Sequence, residues 1–155
     1  GGVATGLPDV FAELEGRFGP AARAKHQRLV VSAPEPIQVP LSAVQVEQIL
    51  GNLLDNAIKY TPTHGEVRLW ADVSDGWATI YVADNGPGIP PAAQARLGEV
   101  GYRGEHREEG AGLGLANVRQ LVTRAGGLFG VSSHANQGTT FHVSLPTMTW
   151  GRVIS

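Results

Sequence analysis

The sequence contains no cysteine, which rules out disulfides and thiolate metal sites and suits a reducing compartment. No run approaches eighteen uninterrupted apolar residues, and no charged-then-apolar leader is present. The expectation is therefore no membrane-spanning helix, no secretory signal and no direct membrane contact. The basic excess that non-specific nucleic-acid binding needs is also missing: 12 Lys and Arg stand against 14 Asp and Glu, a formal charge of −2. Aromatics make up only 6% of the chain, and no pair among the five histidines has metal-ligand spacing.

What is present is an ordinary globular composition, 42% hydrophobic and 17% charged, over 155 residues. That length predicts one domain able to bury its own core, spanning 1–155. Gly1-Gly2 reads as a cloning remnant, which would make the chain an excised piece of something longer. Many of the 21 glycines fall between 86 and 138, so they mark local backbone demands rather than disorder.

A helix is expected over 8–27, with Pro8 in its first turn, Val10, Leu14 and Phe18 spaced to pack on a sheet, and a break or kink at Gly19-Pro20. "LVVSA" (29–33) reads as a strand and "PEPIQVP" as an irregular connection with room for a brief one. Ser42 is placed to cap a long helix over 43–60, ended by Thr61-Pro62. Residues 65–73 and 77–84 form a hairpin through Ser74-Asp75-Gly76. Pro90-Pro91 open a short helix, 98–111 is a polar loop, and 112–125 is helical, stopped by Gly126-Gly127. A last hairpin pairs "LFGVSS" with "TTFHVSLP", and the tail 147–155 gives no signal. The fold class predicted is mixed α/β (α+β): a two-layer sandwich with helices on one face of a mixed, mostly antiparallel sheet.

On the long helix, Gln45, Gln48, Asn52, Asp55, Asn56 and Lys59 fall within an arc of roughly 100°. A solvated face is the ordinary explanation, but Asn costs roughly half a kcal/mol relative to Ala in a helix, and Glu or Lys would serve such a face better. An Asn carbonyl oxygen is a hard, neutral ligand for Mg²⁺ beside phosphates, and Lys59 supplies a point charge one turn on.

Two glycine clusters follow. "DNGPGIP" (84–90) ends a strand in Asp84; Asn-Gly is a strong turn signal, yet no second strand follows directly. A carboxylate there can accept from an exocyclic amine, and the glycines let a flat ring approach the backbone. "GAGLGL" (110–115) opens a helix, where unpaired N–H groups and the positive end of the dipole favour phosphate. Each cluster alone is equally compatible with a plain turn or helix entry.

Taken in order, "EQILGNLLDNAIKYTP", "VADNGPGIP", "GYRG", "GAGLGLANV" and "GTTFHVSLP" closely resemble the ATP-binding catalytic domain of sensor histidine kinases, of the GHKL superfamily with the Bergerat fold. The resemblance covers about residues 40–146. It implies Asn56 as the Mg²⁺ ligand and Asn52 as a polar residue facing the phosphates. Lys59 and Tyr60 would contact phosphate and nucleoside, and Asp84, with Gly86 and Gly88, would read the adenine amino group. Gly110, Gly112, Leu113 and Gly114 form the second glycine box, Thr139 lies near adenine, and Arg103 is the arginine of the lid (98–111). The catalytic set implied is Asn52, Lys59 and Arg103, with ATP and Mg²⁺ as cofactors.

Two departures matter. Related gyrase-, chaperone- and mismatch-repair-type ATPases carry a water-activating Glu where Asn52 stands, so the resemblance implies slow hydrolysis and transfer to a partner. Gly98 and Gly101 replace the aromatics that usually help pack the lid. No acceptor is found: His26, His64, His106, His134 and His142 lack the following Asp or Glu of family acceptors. The implied partners are therefore a separate dimerisation domain bearing the phosphoacceptor His and, downstream, a response regulator. The isolated domain is expected to be a cytoplasmic monomer, whether or not its parent is membrane-anchored. Two other readings stay open: an anti-sigma-factor serine kinase, and a degenerate nucleotide-binding interaction module, which the altered lid favours.

Overall fold

In the computed structural model the described residues are 4–86, 111–134, 137–149 and 152–154. Their order is β1 (Thr5–Gly6), α1 (Leu7–Ala24), β2 (Arg28–Val31), β3 (Gln38–Val39), α2 (Ala43–Tyr60), β4 (Glu66–Ser74), β5 (Trp77–Asp84), α3 (Ala111–Arg124), β6 (Leu128–His134), β7 (Gly138–Thr149) and β8 (Arg152–Ile154). The sheet runs β1-β3-β7-β5-β4-β2, with β6 and β8 also paired to β7. Among the described residues β2–β4 is the single parallel pair; the other six are antiparallel. The mixed, mostly antiparallel sheet is as expected.

Period-two alternation gives the sheet one dry face. Val67 and Leu69 of β4, Ala78, Ile80 and Val82 of β5, and Phe141, Val143 and Leu145 of β7 are buried. They pack with Val10, Phe11 and Leu14 of α1, Ile49, Leu50, Leu53 and Leu54 of α2, and Val118 and Val122 of α3. The opposite face carries Trp70 stacked on Tyr81, ring centroids 4.9 Å apart, with His142 beside it at 6.4 Å. Of the expected α1 contacts, Val10 and Leu14 are in the core, but Phe11 takes the place foreseen for Phe18. Phe18 instead sits partly buried under the Arg17 guanidinium, 5.6 Å from its ring centre.

Turn chemistry agrees with the sequence at two places. Ser74 pairs with Trp77 across Asp75 (φ 53°) and Gly76 (φ 81°), a two-residue turn with both φ positive that matches the strand twist. At the end of α3, Gly126 N–H reaches Thr123 O and Gly127 N–H reaches Val122 O, the paired bonds of a Schellman stop.

Two elements differ from expectation. Gly19-Pro20 does not end α1, which continues to Ala24. Proline removes one N–H, but the turn beyond it is held by tertiary contacts: Ala22 is 1% exposed, and the residues just after it bond to α2. The tail also joins the sheet: β7 runs on to Thr149, Thr147 N–H donates to Gly76 O at 2.8 Å, and β8 pairs with it. Thr147 and Met148 are buried, although nothing in "TMTWGRVIS" signalled a strand.

Candidate functional site

The site is built around the last turns of α2. Ser42 Oγ accepts from Gln45 N–H (3.1 Å) and Gln45 Oε1 from Ser42 N–H (3.0 Å), a reciprocal capping box that starts the helix. Gln45 therefore belongs to the cap, not to the polar stripe in which the sequence placed it. Of the rest, Gln48, Asp55 and Lys59 are exposed, Asn52 is half-buried, and Asn56 is only 8% exposed. Lys59 Nζ pairs with Asp55 Oδ2 at 3.3 Å, one turn back, so its ammonium is held locally. A cleft of about 670 Å³ between α1 and α2 is lined by Phe18, Gln48, Gly51, Asn52 and Asp55 among others. Asn56 and Asp84 do not line it.

The end of β5 meets the end of α2. Asp84 Oδ1 accepts from Gly86 N–H at 2.9 Å, an Asx turn that fixes the carboxylate beside its own backbone. Asn85 Oδ1 accepts from Glu66 N–H at 2.8 Å, tying the exit of β5 to β4. Neither Asn85 nor Gly86 takes the positive φ that a type I′ hairpin turn requires. A Cβ on Gly86 would stand 3.2 Å from the Tyr60 carbonyl oxygen and 3.7 Å from Thr61 Cα, so the absence of a side chain is what lets this loop lie against α2.

Across the sheet, Asp84 pairs directly with Thr139, and Thr139 with Ser133 of β6. Ser133 Oγ donates to Gly138 O at 3.1 Å and lies 2.9 Å from Thr139 Oγ1, so the buried Thr139 hydroxyl is held in place. Gly138 has φ 96°, and a Cβ there would collide with the Asp84 carbonyl. The glycine of "GTTF" is thus demanded twice, by backbone angle and by the approach of the Asp84 strand end. Neither Gly138 nor Ser133 was singled out from sequence. The signal for Gly138 was its place just before Thr139 in the last motif.

The most consequential residues missed are Lys25 and Gln27. Thr61-Pro62 ends α2, and because Pro62 has no N–H, the Ile58 carbonyl has no donor four residues on. Lys25 Nζ supplies one at 2.7 Å, and also donates to the carbonyls of Lys59 (3.0 Å) and Thr61 (3.1 Å). Gln27 Nε2 donates to Ile58 O (2.8 Å) and Thr61 O (2.6 Å). These side chains project from a Schellman stop at the end of α1, in which Gln27 N–H reaches Ala22 O and His26 takes the left-handed position (φ 56°). Gln27 Oε1 and Thr61 Oγ1 are buried with no hydrogen-bond partner among the described residues.

Gly112, Leu113 and Gly114 lie in the first turn of α3, which packs on α2. Gly88, Arg103, Gly110, Gly98, Gly101, the short helix at Pro90-Pro91, His106 and the 98–110 portion of the lid lie outside the described residues. The structure therefore brings Tyr60, Asp84, Gly86 and Thr139 together at one end of the sheet, with Asn52, Asn56 and Lys59 on the adjoining helix.

A sheet with helices on one face, meeting at a strand-end aspartate and an asparagine-bearing helix, is the architecture of a known ATPase class. Residues 42–149 match the family described as histidine kinase-, DNA gyrase B-, and HSP90-like ATPases, and the chain belongs to that family. Its curated relatives include the adaptive-response sensory kinase SasA of Synechococcus, 36% identical over 152 residues, covering 93% of this chain and 39% of the relative. Among solved structures, full-length ShkA in complex with AMPPNP superposes with a TM-score of 0.84 at 30% identity, over 96% of this chain and 32% of that one. The mycobacterial sensor histidine kinase MprB superposes with a TM-score of 0.78 at 28% identity, over 93% and 97%. The chain spans well under half the length of SasA and of the alginate biosynthesis sensor protein KinB of Pseudomonas aeruginosa. No described helix is both long and apolar enough to cross a membrane.

Proposed function

We propose that this chain is the ATP- and Mg²⁺-binding catalytic domain of a sensor histidine kinase. It would donate the γ-phosphoryl group of ATP to a histidine on a separate dimerisation domain, in the cytoplasm, for relay to a response regulator. The observation that carries the reading is the Asp84 carboxylate, anchored by Gly86 N–H and flanked by Thr139, at the point where β5 abuts the last turn of α2. An ionised carboxylate only accepts hydrogen bonds, so it suits the exocyclic amine of adenine. Tyr60, on the same turn, borders the place where the nucleoside would lie.

Asn56 suits Mg²⁺, which takes few protein oxygens and completes its shell with phosphate and water. Bound there, the ion would neutralise charge on the phosphates. Lys59 would exchange its Asp55 partner for phosphate, an exposed pair weak enough to give up. The N–H groups in the first turn of α3, Gly112 to Gly114, would face the phosphates with the positive end of the helix dipole. Arg103 and Gly110 complete the proposal from the lid side. In the transfer, an imidazole nitrogen of the acceptor forms the bond to γ-phosphorus as the bond to the β–γ bridging oxygen breaks, and ADP leaves. Asn52, a neutral amide, cannot deprotonate water, which favours the protein acceptor over hydrolysis.

Calorimetry with a non-hydrolysable ATP analogue tests the reading. Asp84→Asn is expected to abolish measurable binding, and Asn56→Ala to remove its Mg²⁺ dependence. If both variants bind as the parent chain does, the site is misassigned. Steady-state hydrolysis by this chain at the rate of a dedicated ATPase would contradict the role given to Asn52.

A further inference from the structure

A helix end that follows the sequence Lys59-Tyr60-Thr61-Pro62 presents carbonyls with no intrahelical donors. Those of Ile58, Lys59 and Thr61 converge on one ammonium, Lys25 Nζ, at 2.7, 3.0 and 3.1 Å. The Tyr60 carbonyl points the other way, towards Gly86. An ammonium offers three donors, and here all three meet a carbonyl at the negative end of the helix dipole.

We propose that Lys25 is a positioning residue for the nucleotide site, its ammonium acting as a fixed cation in a cage of main-chain carbonyls. The inference rests on the nucleotide reading above. Neighbouring groups lead from the cage to the base-reading carboxylate: Lys25 holds Thr61 O, the Tyr60–Thr61 backbone stands close enough to Gly86 that a Cβ there would touch it, and Gly86 N–H holds Asp84 Oδ1. Lys59 and Tyr60 belong to the turn that the cage closes. Removing the cation leaves three like partial charges facing one another, with Gln27 Nε2 still donating to two of them and the Lys59 carbonyl left to solvent, so the turn is held less tightly. Gln27 Nε2 reaches Ile58 and Thr61 but not Lys59, so it cannot replace the ammonium.

The test separates positioning from mere stability. Lys25→Met keeps most of the apolar stem and removes the charge and all three donors. Affinity for the Mg²⁺-bound, non-hydrolysable ATP analogue is measured well below the melting temperature, where the variant is fully folded. A loss of at least tenfold is expected. Lys25→Ala is measured in parallel with and without millimolar ethylammonium, using tetramethylammonium at equal ionic strength as control. Ethylammonium can enter the cage and donate, so it should restore at least threefold of the affinity; tetramethylammonium has no donor and should restore none.

A Lys25→Met affinity within twofold of the parent chain, or a Lys25→Ala variant indifferent to ethylammonium, overturns the proposal, because a purely structural role lowers the melting temperature without either signature. If Lys25→Met does not fold, the Lys25→Ala pair decides alone. Failure of the nucleotide reading itself looks different: the unsubstituted chain, or Asp84→Asn, would then give the wrong result with Lys25 intact.

Discussion

At its N-terminus α2 is closed by its own residues, Ser42 and Gln45, which exchange two hydrogen bonds within a single turn. At its C-terminus Thr61 N–H still reaches Ala57 O, but the donors to the carbonyls of Ile58, Lys59 and Thr61 come from Lys25 and Gln27, 31 to 36 residues away in sequence. The first end is a local device and serves only the helix. The second joins α1, α2 and the exit of β5, and it lies beside the residues assigned to the nucleotide. A cap built from distant side chains fixes the helix relative to its neighbours as well as ending it.

The sharpest way to break this comparison is to remove what both ends share. Leu53, fully buried at mid-helix, should cost about 2–5 kcal/mol as Leu53→Ala in denaturant unfolding, because truncation adds a cavity to the lost burial. Lys25→Met should follow at about 2 kcal/mol, three bonds from a charged donor being lost against the remaining Gln27 pair. Ser42→Ala should cost about 1 kcal/mol and leave nucleotide affinity unchanged, which makes it the control for the other end. Asp55→Ala, removing an exposed pair, should change stability by about 0.3–0.5 kcal/mol and lose that effect in high salt. Thr61→Val has the opposite sign. Its hydroxyl is buried without a partner among the described residues, so the isosteric replacement should leave the melting temperature unchanged or raise it. A clear drop would show that the hydroxyl is bonded after all.

The same contrast explains what the sequence disclosed. Ser42, the Asp75-Gly76 turn, the Gly126-Gly127 stop and the Thr139-to-Leu145 alternation are set by residues within a few positions of one another, and each was legible. Pro20 does not end α1 because its effect is local while the contacts that outweigh it, through Ala22, Lys25 and Gln27, are not. Gln45 was credited to a polar stripe because a wheel diagram cannot distinguish a cap from a surface. β8 and the extension of β7 were invisible for a similar reason: Thr147 is buried by its partners, not by its own pattern. The candidate residues on α2 and at Asp84 were legible through the family motifs. Their support from Lys25, Ser133 and Gly138 was not, since each acts on a neighbour that the sequence keeps far away.

The length of β7 carries one more consequence. Thr139, at one end, faces Asp84; Met148, near the other, pairs with Gln38 of β3, which in turn holds β1. At about 3.4 Å per residue these positions are roughly 30 Å apart. A label, surface tether or fusion entering through β1 would join the sheet about a strand's length from the Asp84 end. It could orient the whole domain as a handle orients a tool, without touching the working edge.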